Sequence, residues 1–420
     1  MNKAGLDSLE ICDIVVTNSQ GTTDLPIKDQ VVSLSIFEDI FAPLVTCEIS
    51  ILDAMAISQD LPFIGEEKLK VSLKTTGDSE VSRYEFLLYG IDDTIPDVQN
   101  KYQVYRMRGI SVESLTNAAI SVQKGYKDTY DNVVKDLVSG FLKSKKKVTF
   151  APSKGIHHTV VPNQMPLKAI DMCRQLAVSN DYPYSPFLFF ETSTGFHFID
   201  IVSQFKNAKK EDINTITRKY VNNQTEDVNY EMTDAFKSIV SFETTSKHDS
   251  MVKVNTGTYY SNLNKFDLTT KSFNEVETKL MDIQDQFDLA TDGKFNTDQF
   301  VNSMSNMGAT NYLVFYDSSR PESHIDYIGQ KESYSSLFFQ NIVEAEFHGD
   351  TTLEAGKVLY LDIKKSTGLT GDEPEQQDER QSGYYMITQL AHHVFFSGEP
   401  SMRTACTLVK GANQSIEGKI

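Results

Sequence analysis

The sequence predicts an α+β, β-rich fold: two small antiparallel β-barrel domains bracketing a mixed α/β middle region. Three observations point there. Runs of alternating apolar and polar residues occupy the first and last quarters of the chain. Tyr (19) and Phe (25) are abundant and Trp is absent, a composition that favours pleated, half-buried surfaces. Apolar residues at helical spacing cluster in between.

The early strands read directly. Val32, Leu34 and Ile36 share one side of "VVSLSIF". Val45, Cys47, Ile49 and Ile51 share one face of "LVTCEISILD", and Leu69, Val71 and Leu73 share one face of "KLKVSLKT". "YEFLLYGID" and "YQVYRMRGI" follow, separated by turn-rich pieces, as in a small antiparallel barrel or sandwich. Near residue 126 the period changes. Tyr126, Tyr130, Val133, Val134, Leu137, Val138 and Phe141 form one apolar stripe, a helix ended by Gly140 and the cationic run "KSKKK". A second helix begins at Pro166, with Leu167, Ile170, Cys173 and Ala177 inward. "FLFFE" and "GFHFIDI" flank "TSTG" as a hairpin. Residues 203 to 310 show little firm period beyond one strand in "FKSIVSFETTS". Strands then return. In "NIVEAEFHG", Val343, Ala345 and Phe347 oppose Glu344, Glu346 and His348, while Leu359, Leu361 and Ile363 share a face.

The totals exclude several functions. At 420 residues the chain holds two to four domains of roughly 150 residues. A formal net charge of -18 argues against nucleic-acid or anionic-membrane binding, which needs a basic face. Cys12, Cys47, Cys173 and Cys406 form no CxxC pair and read as small buried hydrophobes. No secretory h-region and no membrane-length apolar run is visible, so the expectation is a soluble chain made in a reducing cytoplasm.

Candidate chemistry is thin. In "GYYMITQLAHHVFFSGEP", strand alternation puts Tyr384, Met386, Thr388, Leu390, His392, Val394 and Phe396 on one face and His393 on the other. Adjacent strand histidines cannot chelate one ion. His157 and His158 sit in a loop-like stretch without accompanying carboxylates or thiols. The carboxylates of "GDEPEQQDER" read as a solvated hairpin loop, since a Pro- and Gln-rich loop does not hold a catalytic pair rigidly. No GxSxG, HExxH, P-loop or strand-borne GxGxxG occurs. No catalytic, cofactor-binding or metal-binding residue is assigned, and no cofactor is expected.

The order of elements in "FHGDTTLEAGKVLYLDI", "SGYYMITQLAHHVFF" and "MRTACTLVKG" resembles the terminal barrel of the central baseplate hub protein of contractile-tailed, T-even-type bacteriophages. That family is related to the hub part of type VI secretion spike proteins. Gly349, Leu353 and Gly356 match its G-x-x-x-L-x-x-G segment, and Tyr385, Ile387, Leu390 and His392 match its Y-x-[VI]-x-x-[LV]-x-H strand. The resemblance covers most of the chain as an order of elements and few identities. It departs most in residues 203 to 330 and in the loop 368 to 382.

The resemblance implies tail-tube-like barrels at 8–113 and at 216–247 with 331–411. A mixed middle domain would occupy 114–215 and 248–330, and a C-terminal tail 412–420. It implies a homotrimer whose barrels form a pseudo-sixfold ring between the sixfold tail tube and the threefold central spike. Expected partners are the spike protein, tail tube or tube-initiator proteins, and baseplate wedge proteins. DNA would pass through without specific binding. Acidic strand faces such as Glu344 and Glu346 could line that passage. The expected place is the virion baseplate after synthesis in the host cytoplasm. The alternatives are another tail or baseplate barrel protein (a distal tail protein or a spike base), a cell-wall hydrolase, and a carbohydrate-binding module.

Overall fold

The computed structural model describes residues 7–54, 64–76, 80–96, 102–209, 219–222, 237–246, 250–287, 310–318, 324–364, 377–378 and 381–412. The chain opens with strands β1 (Leu9–Thr17), β2 (Asp24–Pro26), β3 (Val31–Asp39), β4 (Thr46–Asp53), β5 (Lys68–Thr75), β6 (Ser82–Pro96) and β7 (Gln103–Ser111). They pair antiparallel in the order β3–β4–β7–β6–β5–β1–β2. Alternation drives one side of each into a common core that includes Ile14, Ile36, Ile49, Val71 and Phe86. One face differs from expectation. Val32 is 46% exposed and Val31 takes the inward place beside Leu34. A bulge between Val31 and Ser33 shifts the alternation by one residue.

The middle region supplies α1 (Glu113–Ala119), β8 (Val122–Asp128), α2 (Tyr130–Asp136) continued by a π turn over Leu137–Phe141, β9 (Val148–Phe150), β10 (His157–Gln164), α3 (Pro166–Leu176), β11 (Phe187–Thr192), β12 (Gly195–Asp200) and α4 (Ile201–Lys209). Tyr126 lies on β8, opposite Thr159 of β10, and not on the helix. The Asp128 carboxylate takes the Thr129 N–H and the Asn132 amide, which fixes a turn where the apolar stripe alone allowed more helix. α3 starts at Pro166 as expected, and its Ile170 and Cys173 pack with Val133, Val134 and Leu137.

The weakly patterned stretch contains β13 (Lys219–Asn222), β14 (Ile239–Ser246), α5 (Ser250–Asn255), β15 (Tyr260–Asp267), β16 (Phe273–Lys279), α6 (Leu280–Phe287), β17 (Thr310–Tyr316) and α7 (Ile328–Phe338). β16–β15–β17 form a small sheet. Ile283 and Phe287 of α6, Tyr334 and Phe338 of α7 and Phe205 of α4 share one core.

Four strands complete the chain: β18 (Asn341–His348), β19 (Val358–Ile363), β20 (Gly383–Phe395) and β21 (Ser401–Ala412). β14–β18–β21–β20 form a ladder. β19 pairs the first part of β20, and β13 runs parallel to β19. The last part of β20 pairs β3, from Gln389 opposite Asp39 to Phe395 opposite Ser33. The strand-rich units at the two ends of the sequence are therefore one sheet, joined through β20 and β21.

Among the described residues, the ladders leave each unit open. A single bridge, Ser8 to Ser401, links the start of β1 to β21, and another, Val221 to Ser238, links β13 to the start of β14. Two cores result. The first takes Val394 and Met402 from the shared strands, and the second takes Tyr385, Ile387, Leu390, Cys406 and Leu408.

A bulge between Ile387 and Gln389 makes this sharing possible. Tyr385 and Ile387 enter the second core before it, and Leu390 enters the same core after it. The expected uninterrupted face from Tyr384 to Phe396 is thereby broken. Tyr384 and Met386 instead pack toward the helices of the middle region. Among the described residues, no helix is long and apolar enough to cross a membrane.

Candidate interaction surface

The adjacent histidines separate as strand geometry requires. His392 is 1% exposed, and its Nδ1 lies 3.0 Å from the Thr404 hydroxyl. Burial pushes it down to about 4, so it is a neutral core residue. His393 is half-buried on the outer face, with Nδ1 2.9 Å from the Ser35 hydroxyl. His157 is buried, stacked on Tyr130 at 4.6 Å, with Nε2 2.8 Å from the Lys154 carbonyl, while His158 is exposed. The structure brings neither pair together at one site. Most of "GDEPEQQDER" lies outside the described residues. Of it, Gln377 donates to the Tyr360 hydroxyl at 2.8 Å, and Asp378 accepts from the Gln381 N–H at 3.2 Å.

What the fold does assemble is a surface. β14, β18, β21, β20, β3, β4 and β7 are consecutive neighbours, so their outward residues form one continuous sheet face across both units. Over the second unit this face sinks into a groove of about 670 Å³, with Ser241, Glu243, Glu344, Glu346, Ala391 and Thr407 in its lining. Phe37, Phe242 and Gln389 also line it, beside the acidic side chains. Glu243 stands directly opposite Glu344 across the β14–β18 pair. Like charges so placed destabilise a sheet. Replacing Glu344 by Gln is expected to stabilise the chain by about 0.5 kcal/mol, read as a higher denaturation midpoint at low salt. Arg403 offsets part of the charge, 3.8 Å from Glu346, but its closer partner is Asp7 at 2.8 Å. Over the first unit the same face is mixed. Glu48 stands opposite Arg108, which is ion-paired to Asp92 at 2.5 Å, and Arg106 is exposed.

Two buried polar junctions hold the units against the middle region. Lys146 lies 2.7 Å from Glu113 and also bonds Glu191, and the two acids are 6% and 4% exposed. Ser111 and Ser144 donate to Glu113 at 2.6 Å each, and the Val45 N–H reaches Glu191 at 3.2 Å. Burial is the largest influence on Glu113 and raises it, but the Lys146 charge and the hydrogen bonds from Lys146, Ser111 and Ser144 together outweigh burial and hold the carboxyl below its ordinary value. The second junction joins Glu38, Glu354 and the tip of the β11–β12 hairpin. In the sequence, Lys146 belongs to the cationic run that ends the helix. Only long-range pairing shows its role.

No family model matches the chain, and no curated protein does. Solved structures do match. The tail protein from Neisseria meningitidis MC58 superposes with a TM-score of 0.53 at 9% identity, over 95% of this chain and 96% of that one. The 43 kDa tail protein of prophage MuSo2 from Shewanella oneidensis gives 0.52 at 9%, over 95% and 98%. The chain shares the fold of these two tail proteins. The match runs over nearly the whole length of all three chains.

Proposed function

We propose that the chain is the structural central hub of a phage tail baseplate. Three copies form a ring joining the sixfold tail tube to the threefold central spike, with a channel for DNA. The observation that carries this reading is the continuous sheet face spanning two barrel-like units per chain. A threefold-to-sixfold adaptor needs two quasi-equivalent surfaces in each copy. The end-to-end fold likeness to tail proteins supports it.

In this reading, residues 8–113 and residues 216–247 with 331–411 are the two ring-forming domains. Residues 114–215 with 248–330 decorate the ring, and 412–420 form a tail. Partners are the spike, tube or tube-initiator proteins and the surrounding wedges. The chain works in the virion after synthesis in the host cytoplasm, and its role is structural, with no catalytic step.

The channel wall would then alternate acidic sectors, bearing Glu243, Glu344 and Glu346, with mixed sectors, bearing Glu48, Arg106 and Arg108. Acidic sectors repel phosphate, so DNA slides without sticking. Changing Glu243, Glu344 and Glu346 together to Lys is expected to turn a protein that ignores duplex DNA into one that retains it. Retention should fall steeply with salt in a mobility-shift titration. Equal DNA retention by the two proteins at low salt would contradict the channel role of this face.

A further inference from the structure

Glu38 on β3 and Glu354 in the turn before β19 come from opposite ends of the sequence, and both are buried, 1% and 2% exposed. They converge on the tip of the β11–β12 hairpin. Ser193 donates its N–H to Glu38 at 3.1 Å and its hydroxyl to Glu354 at 2.5 Å. Glu38 Oε1 also lies 3.1 Å from the Tyr84 hydroxyl oxygen, which accepts the proton of a neutral Glu38, and its Oε2 takes the Ala355 N–H at 2.9 Å. Glu354 accepts from Thr194 at 3.3 Å and from Lys357 at 2.8 Å.

The titratable groups around the pair can be counted. Tyr84 on β6 and Cys406 on β21 are pushed up by burial and are neutral. His197 on β12 and His392 on β20 are pushed down by burial and are neutral at pH 7. Among the described residues, Lys357 is the one cation bonded to either carboxyl, and it sits on Glu354. Two buried carboxylates with one cation leave one negative charge unpaired, a costly arrangement unless one carboxyl keeps its proton. Lys357 keeps Glu354 ionised, so the proton belongs to Glu38.

We propose that Glu38 and Glu354 form a one-proton latch. Protonated Glu38 seats the hairpin tip between the two barrel-like units, and loss of that proton unseats it. Burial, then the Glu354 charge, raise Glu38 from 4.5 to about 8. A carboxyl raised in the folded state contributes stability fully present below its unfolded value. That contribution declines above it and is gone once pH passes about 8. The latch is therefore closed at neutral pH and opens in mild alkali. It does not depend on the hub reading.

The test pairs infrared titration with hydrogen exchange on the intact chain. Wild type is expected to show a buried protonated carboxyl band at pH 7 that Glu38→Gln lacks and that disappears through about 8. Over the same range, the Ser193 and Ala355 amides should lose at least tenfold protection after correction for intrinsic exchange. Glu38→Gln should lack the band and keep both amides protected to higher pH. If that variant fails to fold, Glu354→Gln serves instead: removing the repelling charge should move the wild-type transition to lower pH. A missing carboxyl band in wild type, pH-independent protection, or an unmoved transition in Glu354→Gln would each overturn the latch.

Discussion

Lys146→Met is expected to destabilise the chain by ~3–5 kcal/mol, because it leaves the ionised Glu113 and its buried neighbour Glu191 without their cation. Glu113 and Glu191 are each almost inaccessible, and their other partners are hydroxyls and one backbone N–H. Those donors orient the acids but carry no charge. Loss of Lys146 should uncouple β11 from the start of β4 and from α1, so the middle region should melt first. Denaturant unfolding followed by tyrosine fluorescence checks the magnitude. The triple variant Lys146→Met, Glu113→Gln and Glu191→Gln should recover much of the loss, since removing every charge at once avoids the unpaired state. A single variant as stable as wild type would show that water reaches these acids.

Gly356→Ala is the second large effect. Gly356 has φ +79°, and an added Cβ would overlap the ring of Phe190, itself fully buried. The ring cannot retreat, because it packs among Leu188, Ile199 and Phe205 in the core beneath the helices. Overpacking costs about 1–3 kcal/mol and the left-handed backbone roughly 1–2 more. The glycine N–H also donates to the Ile387 carbonyl at 2.8 Å, which pins the turn to β20 just before its bulge. Gly21→Ala is the control. Its φ is +71° but no atom lies within 4 Å of the added Cβ, so only the backbone strain should appear. Equal midpoints for the two variants would show that Phe190 yields.

Gly356 was legible in the sequence only through the spacing it shares with Gly349 and Leu353. Leu353 is indeed wholly buried in the second core, and an added Cβ on Gly349 would press on the Met402 carbonyl. The local strands were also legible, because period-two alternation acts within one strand. β4, β5 and β18 bury the residues that alternation names. Two bulges, at Val31–Ser33 and Ile387–Gln389, defeat simple alternation. The second left a trace, since the step from Ile387 to Leu390 is three residues where an unbroken face takes two. The stretch from 203 to 310 was opaque for a different reason. Its strands are half-exposed and its helices short, so packing against distant elements defines them more than periodicity does.

The candidate surface was half legible. Glu344 and Glu346 share a face by alternation, but Glu243 joins them only because β14 pairs β18 across about a hundred residues. Likewise, nothing local announces that β20 and β21 serve both units, or that Glu38 and Glu354 meet. Fold-level likeness reaches the class of protein, and the residues that tie its parts together come from the long-range pairing.

The most direct test is the mass of the purified chain by light scattering, followed by negative-stain imaging. A trimer with a central hole and a near-sixfold outline is the predicted result. A monomer that stays monomeric on co-expression with the spike protein would contradict the hub.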